Sequence, residues 1–263
     1  MANNYTLGRG EIHFSRFKPG TQIPEGYRYI GNTPEVNLTI EEEKLDHFSS
    51  DRGIREKDDA ISLEVNRSGS LITDNIAPEN IALFFFGEAT VIATTGSTVT
   101  DELVEGVVPG LGYQLGQTEQ NPVGARGLDM TSGNAPVVKD AGVGATTFDE
   151  GDDYTVDADT GMLTIVEGGA ITAGTDLEVT YKTLTSTQTQ VISGSSSVEG
   201  SMRYIAHNPK GEQFDYTFPW VTISPNGDFA LKGDEWQQIP LNIEILKPTN
   251  KEAIYVNGRP FTV

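Results

Sequence analysis

Between Glu199 and Leu246, β-branched and aromatic residues recur at every second position, and the runs are separated by turn-forming residues. A period of two suits extended chain, whose successive side chains point to opposite faces of a sheet. The stretch reads as four strands, Ser201–His207, Gln213–Ile223, Phe229–Leu231 and Glu235–Leu246. Asn208-Pro209-Lys210-Gly211 and Pro225-Asn226-Gly227 supply the turns. Pro219 and Pro240 fall inside two of the runs. Proline cannot donate to a ladder, so each marks an edge, a bulge or a strand end.

The alternation continues upstream. Glu11–Phe17 and Arg28–Ile30 read as strands, and in Glu35–Glu41 the residues Val36, Leu38 and Ile40 share one face, as expected of a sheet with one side on a core. The next segment, Glu42–Asp59, is dense in charge of both signs and reads as a long loop before strand pattern resumes at Ile61. Loops of that length in a compact domain are functional or disordered. Leu45, Phe48 and Ile54 favour docking over free solvation, with a mobile hydrophilic loop as the competing reading. Ala77-Pro78-Glu79-Asn80 then opens the chain's one strong helix signal, with proline at the first helical position and an acid in the first turn. The helix is expected over Pro78–Phe86, closed by Gly87. Ile81, Leu83, Phe84 and Phe85 are its packing residues, and at least one of the three adjacent phenylalanines must leave the core side.

Residues 89–190 read as an insertion, richer in glycine, threonine and aspartate than the flanks. It carries its own strands at Asp153–Asp157, Met162–Val166 and Asp176–Thr183. Near the end, Asn257-Gly258 between two extended runs, Glu252–Val256 and Arg259–Val263, predicts a hairpin. The fold class is therefore mainly β with a minor α component: a barrel or sandwich formed by residues 1–88 and 191–263, one flanking helix, and a β-rich region at 89–190.

Several function classes lose ground on composition and spacing. Acidic side chains outnumber basic ones 38 to 18, giving a formal charge of −20, so the chain is not built to neutralise phosphates. Cysteine is absent, which excludes disulfides and thiolate metal sites and suits folding in a cytoplasm. The first residues lack a basic segment followed by an apolar one, so no secretory leader is expected. The apolar run Ile81–Phe86 is far short of the roughly 20 residues of a membrane helix, so no membrane insertion is expected. His13, His47 and His207 stand alone, Val198 occupies the place of the second glycine in a nucleophile elbow, and Gly110–Gly116 misses the dinucleotide spacing. No enzyme activity and no cofactor are expected. Asp157 and Asp159 begin like a calcium loop, but Gly161 breaks the ligand series, leaving a hairpin turn with acidic flanks as the plainer reading.

One resemblance adds to these readings. The order of Gly200, Asn208 and Gly211, Tyr216 to Pro219, Val221 and Ile223, then Phe229-Ala230-Leu231-Lys232-Gly233-Asp234-Glu235-Trp236 leading into Ile239–Leu246, resembles the major tail (tail tube) proteins of long-tailed bacteriophages. The resemblance implies a virion protein made in the host cytoplasm. Its copies would close into rings, hexameric by analogy, and the rings would stack into a hollow tail tube through which DNA passes without being bound. Its partners would be further copies and the tail tip, tape measure and tail terminator proteins. A long loop in that family reaches onto the neighbouring ring, which would give Leu45, Phe48, Asp51, Arg52, Ile54 and Arg55 a ring-stacking role. The helix would pack on the side of the barrel, and the insertion would decorate the exterior. Two alternatives remain: a glycan-binding β-sandwich of a virion or cell surface, with Trp220 or Trp236 at a groove, and the tube subunit of a contractile secretion system.

Overall fold

The computed structural model describes residues 4–51, 53–142 and 146–259. The described chain is almost entirely strand: β1 (Gly10–Arg16), β2 (Arg28–Tyr29), β3 (Glu35–Ser49) and β4 (Glu56–Thr73), a seven-residue helix α1 (Pro78–Phe84), then β5 (Glu88–Thr94), β6 (Thr98–Val107), β7 (Gly112–Gln114) and β8 (Val137–Asp140). There follow β9 (Tyr154–Asp157), β10 (Met162–Ile165), β11 (Thr175–Lys182), β12 (Ser186–Ile192), β13 (Val198–Ala206), β14 (Phe214–Pro225), β15 (Ile239–Ile245) and β16 (Tyr255–Gly258). The fold is mainly β, as the alternation predicts. The chain divides into two compact units, Met1–Thr90 with Thr189–Val263, and Val91–Gln188. The reading from sequence places the second at 89–190.

The first unit is built on one antiparallel sheet of order β2-β1-β13-β14-β15-β4-β3, with β16 pairing the first half of β14. The sheet is open. Among the described residues no ladder joins β2 to β3, so the expected barrel does not close and both outer strands keep an unpaired edge. Its core follows the period of two: Ile239, Leu241, Ile243 and Ile245 are buried while Asn242 and Glu244 are exposed. Ile12 and Phe14 of β1, Met202 of β13, Phe218, Val221 and Ile223 of β14, and Leu71 of β4 complete the layer under Leu83 of the helix. Both prolines sit where a missing N–H costs little. The β13–β14 register shifts between Gly200 and Met202, and Pro219 lies in that bulge. Pro240 falls just past the last β14–β15 pair, Pro225 with Leu241, and its carbonyl accepts the Asn226 N–H at 3.1 Å.

Four expectations are corrected. The segment Glu42–Asp59 is not a loop but the far part of a long hairpin, in which β3 and β4 stay paired from Glu35–Ile72 out to Ser49–Glu56. Phe229–Leu231 is not a strand, and the following one starts at Ile239 rather than Glu235, because β4 ends at Thr73, the partner of Ile239, and offers no ladder beyond it. Asn257-Gly258 is not a turn: both residues lie in β16, opposite Asp215 and Phe214, because the open edge of β14 gives the chain a longer-range partner. The expected continuation over 260–263 lies outside the described residues. The helix ends at Phe84, and its cap is not the glycine. Phe86 takes the left-handed conformation at φ 54° while the Gly87 N–H reaches back to the Ala82 carbonyl at 2.7 Å, a Schellman arrangement with phenylalanine in the left-handed place.

The second unit has its own core of Val107, Leu115, Val138, Leu163, Ile165, Leu177, Val179 and Tyr181, among others, formed by two three-stranded sheets, β7-β10-β9 and β6-β11-β8. β5 and β12 pair with each other, so the chain departs from the first unit and re-enters it as neighbouring strands.

Candidate assembly surfaces

The β3–β4 hairpin outgrows the sheet that roots it. Pairing of β4 with β15 ends at Ser68–Glu244, whereas its pairing with β3 runs on to Glu56. From Glu41 to Ser49 the ribbon thus projects for about 30 Å with no third strand beside it. Its register shifts between Glu43 and Lys44 and again between His47 and Phe48, each shift adding twist. Charged and polar groups of the ribbon largely pair among themselves. Lys44 and Lys57 meet Glu42 and Asp46, His47 meets Asp58, and Ser62 donates to Glu42, which holds the Glu42 carboxyl below its usual range. Exposed pairs of this kind are screened by solvent and contribute little to stability.

The apolar side chains of the arm have no such company. Leu45, Ile54, Ile61, Leu63 and Val65 are all exposed, Ile54 at the tip by 78%, as are Leu38 and Ile40 at the arm's root. Phe48 is partly covered by the Arg55 guanidinium, 5.2 Å from the ring centroid. A two-stranded ribbon with both faces bare is marginal in water. Of the expected stacking residues, the structure therefore gathers Leu45, Phe48, Asp51, Ile54 and Arg55 on the outer part of the arm. Arg52 lies outside the described residues. Of Val36, Leu38 and Ile40, only Val36 packs on the core; Leu38 and Ile40 are exposed at the root of the arm, where β4 is about to lose its pairing with β15.

The helix residues divide as three adjacent phenylalanines must. Leu83 is buried, Ile81 and Phe84 pack against the core, and Phe85 is exposed. The helix lies against β14 and β15. Phe84 meets Phe229 at 5.6 Å between centroids, which pins the segment between β14 and β15 to the helix. That segment holds a surface the strand reading hides: Trp236 is 91% exposed and Leu231 77%. Gln237 Nε2 donates to the carbonyls of Ala230 and Leu231 at 3.0 and 3.2 Å, folding the loop on itself around a groove of about 690 Å³. Trp220, by contrast, lies within β14 and is half-buried.

Asn80, read from sequence only as part of a helix start, is fully buried and joins three segments. Its amide donates to the carbonyls of Ile30 and Asn75 at 2.6 and 2.8 Å and accepts from Arg28 at 2.8 Å. Burial holds the Arg28 guanidinium below its ordinary value, with Glu79 opposing that effect. A cleft of about 350 Å³ beside it is lined by Arg16, Arg28, Glu25, Glu79 and Glu88, a mixture of signs that attracts neither anion nor cation strongly. The calcium candidates Asp157 and Asp159 stand at the end of β9 and in the turn after it. Asp157 Oδ1 accepts the N–H groups of Asp159 and Thr160; the Thr160 side chain first, then the Thr160 and Asp159 N–H groups, hold its carboxyl below the usual range. Among the described residues no cluster of three acidic or histidine side chains is placed to hold a metal.

The sequence model of one protein family, described as protein of unknown function UCP028589, matches residues 5–259. The chain belongs to that family. The matched span includes the arm, the Trp236 loop and all of the second unit, so the match extends over both units. No curated protein matches the chain. Among the described residues, no helix is long and apolar enough to cross a membrane.

Proposed function

We infer that this family member is a structural subunit that assembles with copies of itself into stacked rings, the tube of a phage tail. The observation that carries the reading is the arm: about 30 Å of paired backbone bearing exposed leucine, isoleucine and valine on a ribbon with no covering layer of its own. Such a surface is completed by a second molecule. The free edges of β2 and β3 offer backbone groups for lateral contacts, and heterologous contacts of this kind close into rings around an axis or propagate along it. An excess of carboxylates suits a conduit whose wall must repel DNA rather than hold it.

Negative-stain microscopy of the purified chain at rising concentration tests this, alongside a variant in which residues 44–62 are replaced by Asn-Gly. Rings or hollow filaments of uniform bore are expected from the full chain, and short-lived rings without stacking from the armless variant, whose thermal melt should hold. A persistent monomer under all conditions sinks the reading. One observation favours a second reading: Trp236 stands exposed at a groove, as a sugar-stacking residue would. Quenching of tryptophan emission during titration with a glycan panel distinguishes it.

A further inference from the structure

The geometry points to the groove of the Trp236 loop as the receptor for the arm of a second copy of this chain, an assignment that rests on the tube reading and adds its missing counterpart. The argument begins with strand direction. β15 and β4 run antiparallel, from Ile239–Thr73 at one end to Glu244–Ser68 at the other. The arm grows out beyond Ser68; the loop that carries Leu231 and Trp236 immediately precedes Ile239. Arm and groove therefore project from opposite ends of the same pair of strands. Copies arranged head to tail along the strand direction bring the arm of one to the groove of the next, and a contact between two different surfaces repeats without limit unless the rotation closes it.

The two surfaces also match in chemistry. Each exposes large apolar side chains that the rest of its own chain leaves uncovered, Ile54 and Leu45 on the arm, Trp236 and Leu231 on the loop. A tryptophan held on a folded loop fits the anchor residue of an interface, since little order remains to be lost on docking. Their charges are opposed. In a chain of net charge −20, the tip over residues 49–57 carries three basic side chains against two acidic ones, whereas the loop over 228–238 carries three acidic against one. The loop's Asp228, Asp234 and Glu235 would face the tip's Arg55, steering the encounter and disfavouring docking of tip on tip or loop on loop.

Because the chain has no cysteine, thiols can be placed at will on the full-length protein. Protein carrying Ser50→Cys is mixed with protein carrying Asp234→Cys under mild oxidation, and a mixture of Ser50→Cys with Glu244→Cys, at the arm's own end of the sheet, serves as control. The joined species is expected at least tenfold in excess of the control, and Trp236→Ala or Ile54→Asp in the same background should lower it tenfold. Both substituted positions are exposed, and an unchanged thermal melt verifies folding. Tryptophan emission should shift to shorter wavelength as the arm covers Trp236. If tubes form while the cysteines stay apart and Trp236→Ala assembles like the parent, the groove assignment is wrong and the tube reading stands. If the cysteines join but no tube forms, docking stands and the tube reading falls. Neither joining nor tubes overturns both. Protection of Trp236 by a glycan, without joining, makes the groove a sugar site and overturns the assignment.

Discussion

A side chain at Gly87 would have nowhere to go. A Cβ there would run into the Ile192 carbonyl, and one at Gly194 into the Phe86 carbonyl, so the outgoing and returning chains pass each other at backbone contact. The Gly194 N–H donates to the Phe85 carbonyl at 3.0 Å, and Arg16 donates to the Gly87 carbonyl at 2.6 Å, which fixes the crossing. Gly87→Ala should therefore cost more than about 2 kcal/mol in denaturant unfolding of the first unit, while Gly8→Ala, with open space around it, should be near neutral. Protonation supplies a second test at this scale. Asp129, Asp153 and Asp157 all carry carboxyls held below their usual range: Asp129 by Thr131, Asp153 by the N–H groups of Ala170 and Asp149, Asp157 by Thr160. The unfolded chain binds these protons more readily than the folded one. The stability they confer is thus present above the ordinary carboxylate value near pH 4 and lost as pH falls through the lowered values. The melting temperature of the second unit should drop on acidification over that window, and Asp153→Asn should reduce the drop.

At the scale of elements, β16 is a short strand that pairs with β14 alone. Its four residues are all exposed, and it is fastened by Arg259, which meets both oxygens of Asp215 at 2.9 and 3.1 Å and donates to the Ala206 carbonyl. The Arg259 hydrogen bonds are the first cause of the lowered Asp215 carboxyl, with the Ala206 N–H adding to them. Stability from this bond is again present above the unfolded carboxylate value and lost as pH falls through the lowered one. Amide hydrogen exchange over Tyr255–Gly258 should quicken in Asp215→Asn at neutral pH, with β15 unaffected. Equal rates in variant and parent would show that strand pairing alone holds β16.

Over the whole molecule, two separate hydrophobic cores and two connecting strands set the expected unfolding behaviour. Each unit buries its own apolar cluster, and the two clusters share no residue. Calorimetry should resolve two transitions, and limited proteolysis should cut first in the connections around residues 94–98 and 183–187. A single cooperative melt with no cleavage there would show that the units unfold as one.

How far the sequence carried depended on what each segment packs against. In β1, β13, β14 and β15 one face is buried, so alternation reports both the strand and its inward residues. Phe229–Leu231 also alternates, yet forms no strand, since β4 stops at Thr73. The helix was legible from Pro78 and Glu79, but its end was not, because Phe86 adopts a conformation that glycine usually supplies. Charge density at Glu42–Asp59 reads as loop by composition alone. It is ribbon because β3 and β4 pair through it residue by residue, and a ribbon with no buried face lacks the clean alternation by which a strand is read. The assembly residues of the arm could be picked out as apolar side chains in a charged segment; Trp236 could not, because an exposed tryptophan and a core tryptophan are the same letter in alternating text.

By itself the sequence determined that the chain is β-rich, that its core lies on alternate positions of the strands around Glu199–Leu246, that a helix begins at Pro78, and that a distinct region interrupts the fold. These are properties of local chemistry: side-chain period, proline geometry and glycine content. Only the tertiary structure decided that the sheet stays open, that the charged segment is a projecting arm, and that arm and Trp236 groove lie at opposite ends of β4 and β15. Each of those depends on which strands find each other across the chain, and hydrogen-bond partners are chosen by backbone groups that every residue shares.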